Sequence, residues 1–193
     1  MDAVAHDHQL RATLKNYLST RVTPTDRIVD EFRLAFGTTR ADVTLVNGHL
    51  EAFEIKAGKD NLSRLPAQVE AYDKVFEFSW VVTTRAHLRD IQRVIPRGWG
   101  VMVAHANDQG VELQQVRLAK RNQRRDPEHL ARLLWRDELL AKLEELGAAK
   151  GLKSKPKLAL YSALATALPV DELADYVRNC IKMRVDWRDA ASR

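Results

Sequence analysis

Asp42, Glu54 and Lys56 are charged side chains set among apolar and β-branched neighbours in the stretch from Arg40 to Gly58, RADVTLVNGHLEAFEIKAG. Val43, Leu45 and Val46 before Asn47-Gly48, and Leu50, Phe53 and Ile55 after it, predict two short strands around a turn. Strand residues two apart share a face, so Glu54 and Lys56 point one way while Phe53 and Ile55 point the other. A carboxylate beside an ammonium is an ordinary pair. A second carboxylate, Asp42, aimed at the same spot suggests a divalent cation, which prefers oxygen ligands. Register decides whether the two acids meet. A two-residue Asn47-Gly48 turn pairs Asp42 with Phe53 and sends the acids to opposite faces, whereas a three-residue loop ending at His49 pairs Val46 with Leu50 and Asp42 with Glu54. A site here therefore predicts an odd-length connection or a bulge.

The flanking segments supply further polar groups. Thr23-Pro24-Thr25-Asp26 predicts a helix start, with Thr23 as N-cap, and a helix running to about Phe36 and stopping at Gly37. Ile28, Val29, Phe32, Ala35 and Phe36 form its apolar face, and Glu31 lies on the flank of that face. After the hairpin, a helix from Asn61 or Ser63 to about Glu77 carries Leu65, Val69, Tyr72 and Phe76 in one stripe with Gln68 between them.

In this order the residues resemble the PD-(D/E)XK nuclease superfamily: Asp42, then Glu54-x-Lys56 on the next strand. Gln68 and Tyr72 resemble the Gln-x-x-x-Tyr motif of its RecB-like branch, and Glu31 resembles the acid that many members contribute ahead of the hairpin. The likeness covers roughly residues 23–105. It implies a restriction-endonuclease-like fold and a Mg2+- or Mn2+-dependent deoxyribonuclease acting in repair, recombination or defence. It assigns Asp42, Glu54, Glu31 and the Ile55 carbonyl to the metal, Lys56 to the attacking water, and Gln68 and Tyr72 to the nucleic-acid strand or to bracing Lys56. The residues leave two other readings open. One is a DNA-binding module of the same fold without cleavage, in which Asp42 and Glu54 pair with Lys56 and nearby arginines; the other is a protein-interaction domain whose basic run is a solvated face.

The whole chain frames these residues. Its 193 residues suffice for one core and a small appended domain, and the net charge of +5 with a pI near 9.4 favours polyanionic partners. A single cysteine, Cys180, excludes an internal disulfide and favours a reducing compartment; with no apolar run at the start, a cytoplasmic protein without membrane contact is expected. No Gly-rich phosphate loop or Gly-x-Ser-x-Gly elbow occurs.

Residues 8–19 predict an amphipathic helix, 78–84 a buried strand, 86–94 a short helix, and 99–105 and 111–116 two more strands. The class is α/β, a mixed sheet flanked by helices. The expected organisation is a helical lead-in (1–22), a core (23–116), a basic linker (117–125) and a helical, nucleic-acid-binding subdomain (126–193). Arg117, Lys120, Arg121, Arg124 and Arg125 in the linker, with no acid among them, are expected to meet phosphates. The subdomain predicts three helices, the first running unbroken from Pro127 to Gly147. The portion ELLAKLEELGAAKGLKSKPKLALYSAL resembles a SAP-type helix-loop-helix motif.

Overall fold

The computed structural model describes residues 7–34, 39–58, 60–108 and 110–184, and the chain divides into two compact units, Met1–Arg125 and Asp126–Arg193. Unit 1 runs α1 (Asp7–Ser19), β1 (Arg27–Leu34), β2 (Thr39–Val46), β3 (Leu50–Lys56), α2 (Leu65–Asp73), β4 (Phe78–Thr84), α3 (Arg85–Val94), β5 (Gly100–Asn107) and β6 (Gly110–Arg117). The strands form one sheet in sequence order, with β3, β4 and β5 parallel and the outer pairs antiparallel. A mixed sheet with helices against it is the architecture.

Alternation along the strands sorts the core. Leu10, Leu14 and Leu18 of α1, spaced at one turn and fully buried, dock on Val43, Leu45, Phe53, Ile55, Trp80, Val82, Met102 and Ala104. Each such leucine contributes about 1.5–3 kcal/mol by leaving water. The alternate residues, among them Thr44, Glu54, Lys56, Val81 and Thr83, face the other way. Helices α2 and α3 are the crossovers between adjacent parallel strands, and the fixed hand of such crossovers puts both on that second face. Gly100 is required by a close approach: it pairs with Trp80, and a Cβ at this position would lie 2.0 Å from the Trp80 indole.

The segment expected as a helix from Thr23 is instead a turn followed by β1. The Asp26 carboxylate accepts from the Thr23 N–H and hydroxyl (both 2.8 Å), closing the turn that Thr23 was expected to cap as a helix. Ile28 and Val29 suit an extended chain, and seven residue pairs with β2, from Arg27↔Val46 to Leu34↔Thr39, outweigh the helical spacing of the apolar residues. The expected helix end at Phe36 and Gly37 lies outside the described residues.

Residues 117–125 are not a free linker but part of unit 1. Arg117 closes β6 and its guanidinium donates to the carbonyls of Trp99 (2.6 Å) and Pro96 (3.2 Å). The Lys120 N–H donates to the Gly98 carbonyl (2.8 Å) and the Asn122 side chain to those of Asp73 and Phe76. The physical cause is Glu77, which is wholly buried and draws Arg121 (3.1 Å) and Arg125 (3.7 Å) onto itself.

Unit 2 has four helices among its described residues: α4 (Pro127–Ala131), α5 (Arg136–Glu145), α6 (Lys157–Ala167) and α7 (Val170–Met183). Leu130, Leu139, Leu143, Leu160, Leu164, Leu173, Val177 and Ile181 fill its core. The expected single helix from Pro127 breaks before Trp135. There the Glu138 carboxylate accepts from the Trp135 N–H (2.7 Å) and pairs with Arg184, whose guanidinium also donates to the Leu133 carbonyl and lies over the Trp135 ring. Gly147, at φ 69°, ends α5 in the left-handed conformation that glycine adopts without strain. Among the described residues no helix is long and apolar enough to cross a membrane.

Candidate functional site

The β2–β3 connection is the three-residue loop Asn47-Gly48-His49, pairing Val46 with Leu50 and Val43 with Phe53. That register brings Asp42 opposite Glu54. The pairs Asp30↔Val43 and Phe32↔Ala41 likewise set Glu31 opposite Asp42, so three acids lie in a row across β1, β2 and β3. Glu31 reaches its place from a strand, with a left-handed backbone (φ 53°) uncommon for a residue bearing a Cβ.

Each acid is met by protein donors. Glu54, 1% exposed, accepts from Lys56 Nζ (2.6 Å) and Gln68 Nε2 (2.5 Å) on Oε1, and from the Tyr72 hydroxyl (2.5 Å) on Oε2. Asp42 Oδ2 accepts from the Ile55 N–H (2.7 Å), and its Oδ1 from the Arg11 guanidinium (3.2 Å). Arg11 also pairs with Glu31 (3.1 Å), whose second oxygen meets Arg40 (3.3 Å). Burial first, and then the Glu54 charge, push the Asp42 carboxyl up to about 6 against the pull of the Ile55 N–H, Arg11 and Lys56. Burial, reinforced by Glu54, likewise pushes the Tyr72 phenol well above its ordinary value. Tyr72 is in turn stacked on Trp99 (5.5 Å).

This geometry gathers Glu31, Asp42, Glu54, Lys56, Gln68 and Tyr72. Ile55 joins them through its N–H, donated to Asp42. Each oxygen of Asp42 and Glu54 accepts from an N–H or O–H group, and Arg11, Arg40 and Lys56 pair with the three acids.

The expected phosphate-binding cations divide into two kinds. Lys120, Arg121 and Arg124 are exposed at the rim of a cleft, whereas Arg117 is partly buried and Arg125 almost wholly so. Arg11 and Arg40 are cluster members that sequence reasoning missed. Arg11 is an ordinary helix arginine by sequence, and only the docking of α1 brings it to Asp42. Glu77 was missed for a different reason: an acid after Val75-Phe76 reads as a helix end.

The fold and its polar centre define an α/β unit whose strand-end acids are closed off by the protein's own donors. The family model described as bacteriophage P4 protein cII matches residues 2–190, and the chain belongs to that family. Protein cII of Enterobacteria phage P4 is 25% identical over 157 residues, which are 81% of this chain and 59% of that protein. The chain thus spans about three fifths of the length of that relative. Among solved structures, the SPO1766 protein of unknown function from Silicibacter pomeroyi is similar at 18% identity and a TM-score of 0.48, covering 77% of this chain and 96% of that one.

Membership of the cII family overturns the PD-(D/E)XK resemblance, and with it the assignment as a metal-dependent nuclease. The physical counterpart of the correction is the closed cluster. Asp42, Glu54 and Lys56 form a short motif that strands can carry for structural reasons, and here Lys56 pairs with Glu54 while Arg11 pairs with Asp42.

Proposed function

We propose that this protein binds nucleic acid, with DNA as the first candidate, through charge displayed on its surface. The observation that carries the reading is the rim of Lys120, Arg121 and Arg124 around a cleft of about 380 Å3, whose other walls include Asp73, Ser79, Pro96, Gly98 and Trp99. Backbone bonds from Lys120 to Gly98 and from Asn122 to Glu77 (both 2.8 Å) hold the main chain of the segment that carries these cations. A cation that meets a phosphate releases condensed counterions, which makes affinity fall with salt. The net charge of +5 adds a general attraction for polyanions. A single cysteine, with no disulfide partner within the chain, supports a cytoplasmic location as part of this reading.

The test is binding of labelled duplex DNA, followed by fluorescence anisotropy over a range of NaCl concentrations, for the parent and for Lys120→Gln/Arg124→Gln. Two lost phosphate contacts are expected to lower the magnitude of the log K against log salt slope by about 1.8. An unchanged slope rejects the rim as the contact. A parent without salt-dependent DNA binding rejects the reading and leaves the protein-interaction alternative.

A further inference from the structure

The charge pattern of α3 is not one that its own stability calls for. Ile91 is the one buried residue of the helix, while Arg85, Arg89 and Arg93 recur every four residues and are exposed on one face beside Gln92. Like charges at that spacing destabilise a helix. Arg85 also stands in the first turn, where no acid accompanies it and the helix dipole disfavours a cation. Asp90 pairs with Arg93 (3.2 Å), and Arg85 and Arg89 have no ion pair among the described residues. Beyond the helix Arg97 is exposed as well, next to Gly98, whose carbonyl accepts from Lys120. Arg97 thus stands in the chain between α3 and the residue that holds Lys120 of the basic rim.

We infer that α3 is a docking surface for the phosphate backbone of duplex DNA, with Arg85, Arg89 and Arg93 lying along one strand. This rests on the nucleic-acid reading above and adds the second element that would hold the duplex. Charge complementarity selects the occupant, since guanidinium groups present planar forks of donors that match phosphate oxygens. At about 1.5 Å per residue, successive arginines are about 6 Å apart along the helix, so all three can reach different phosphates at once. A protein partner is less suited, because interfaces set aromatic or large aliphatic groups beside their arginines, and the exposed aliphatic residue of α3, Val94, lies away from the arginine face. Beside the arginines the helix offers Gln92, Ala86 and, paired with Arg93, Asp90.

The test compares Arg85→Gln/Arg89→Gln/Arg93→Gln with Arg85→Lys/Arg89→Lys/Arg93→Lys and with the rim variant Lys120→Gln/Arg124→Gln, each in the full chain, on duplex and single-stranded DNA. The glutamine triple is expected to melt at or above the parent temperature, since like charges are removed, and to lose about 2.7 from the salt slope on duplex, three contacts at about 0.9 each. The lysine triple should keep the parent slope. A folded glutamine triple with the parent's slope overturns the α3 assignment, and if the rim variant still lowers the slope the nucleic-acid reading survives it. Salt-dependent binding confined to single strands overturns the duplex assignment. A parent without salt-dependent binding to either DNA overturns both readings.

Discussion

Glu54 and Lys56 are both buried, 2.6 Å apart, and each is the other's charge partner. Removing one strands the other, so Glu54→Leu or Lys56→Met alone should cost about 3–5 kcal/mol in urea or thermal unfolding. The double replacement should recover much of that loss, because a buried ion pair exchanged for packed apolar groups is often neutral. A double variant no better than the sum of its parts would contradict a closed pair. Asp42 gives a pH signature. Its folded carboxyl titrates near 6 against an ordinary value of 3.8, so between those values the folded state holds more proton than the unfolded one. Asp42 therefore removes stability as pH rises from about 4 to 6, by up to about 3 kcal/mol, and the deficit is complete above 6. Relative to the parent, Asp42→Asn should gain melting temperature across that window and stay level outside it. Mg2+, Mn2+ or a chelator should leave the parent's melting temperature unchanged, since the carboxylate oxygens already have donors; a rise with metal would show that they exchange those donors for a cation.

Among the elements, Gly100 is the most constrained position, because the Trp80 indole lies where its side chain would be. Gly100→Ala should cost about 1–3 kcal/mol by overpacking, seen as a lower melting temperature, whereas Gly48→Ala, with nothing within 4 Å of its Cβ, should be milder. Strands β2 to β6 and helix α3 were legible in the sequence because their apolar runs alternate or end at clear turns. β1 was not. Ile28, Val29 and Phe32 satisfy both a helical and a strand spacing, and the decision lies in the seven pairs made with β2, which no local pattern reports. The loop at Asn47-Gly48-His49 was legible through a different route, by asking which register puts Asp42 and Glu54 together.

At the scale of the molecule, the basic run reads as a boundary by its composition, whereas the division falls at its far end, after Arg125. A chain ending at Arg125 should therefore melt cooperatively, and one ending at Arg117 should lose about 3 kcal/mol or more, because Glu77 remains buried without Arg121 and Arg125. Circular dichroism melts of the two truncations measure the difference. What the sequence withheld about function has the same origin as what it withheld here: Asp42, Glu54 and Lys56 name an arrangement, and the partners that decide its chemistry, Arg11 and Arg40, arrive from α1 and from the start of β2.

The balance within that cluster bears on encounter kinetics. Glu31, Asp42 and Glu54 against Arg11, Arg40 and Lys56 leave little net source of potential, and the residual field fades within a Debye length of about 8 Å at physiological salt. The long-range pull on an approaching polyanion thus comes from cations outside it, such as Arg85, Arg89, Lys120 and Arg124. Neutral substitutions of these four should slow association, while the charge-conserving exchange of Lys56 for arginine should leave the on-rate of a folded protein untouched.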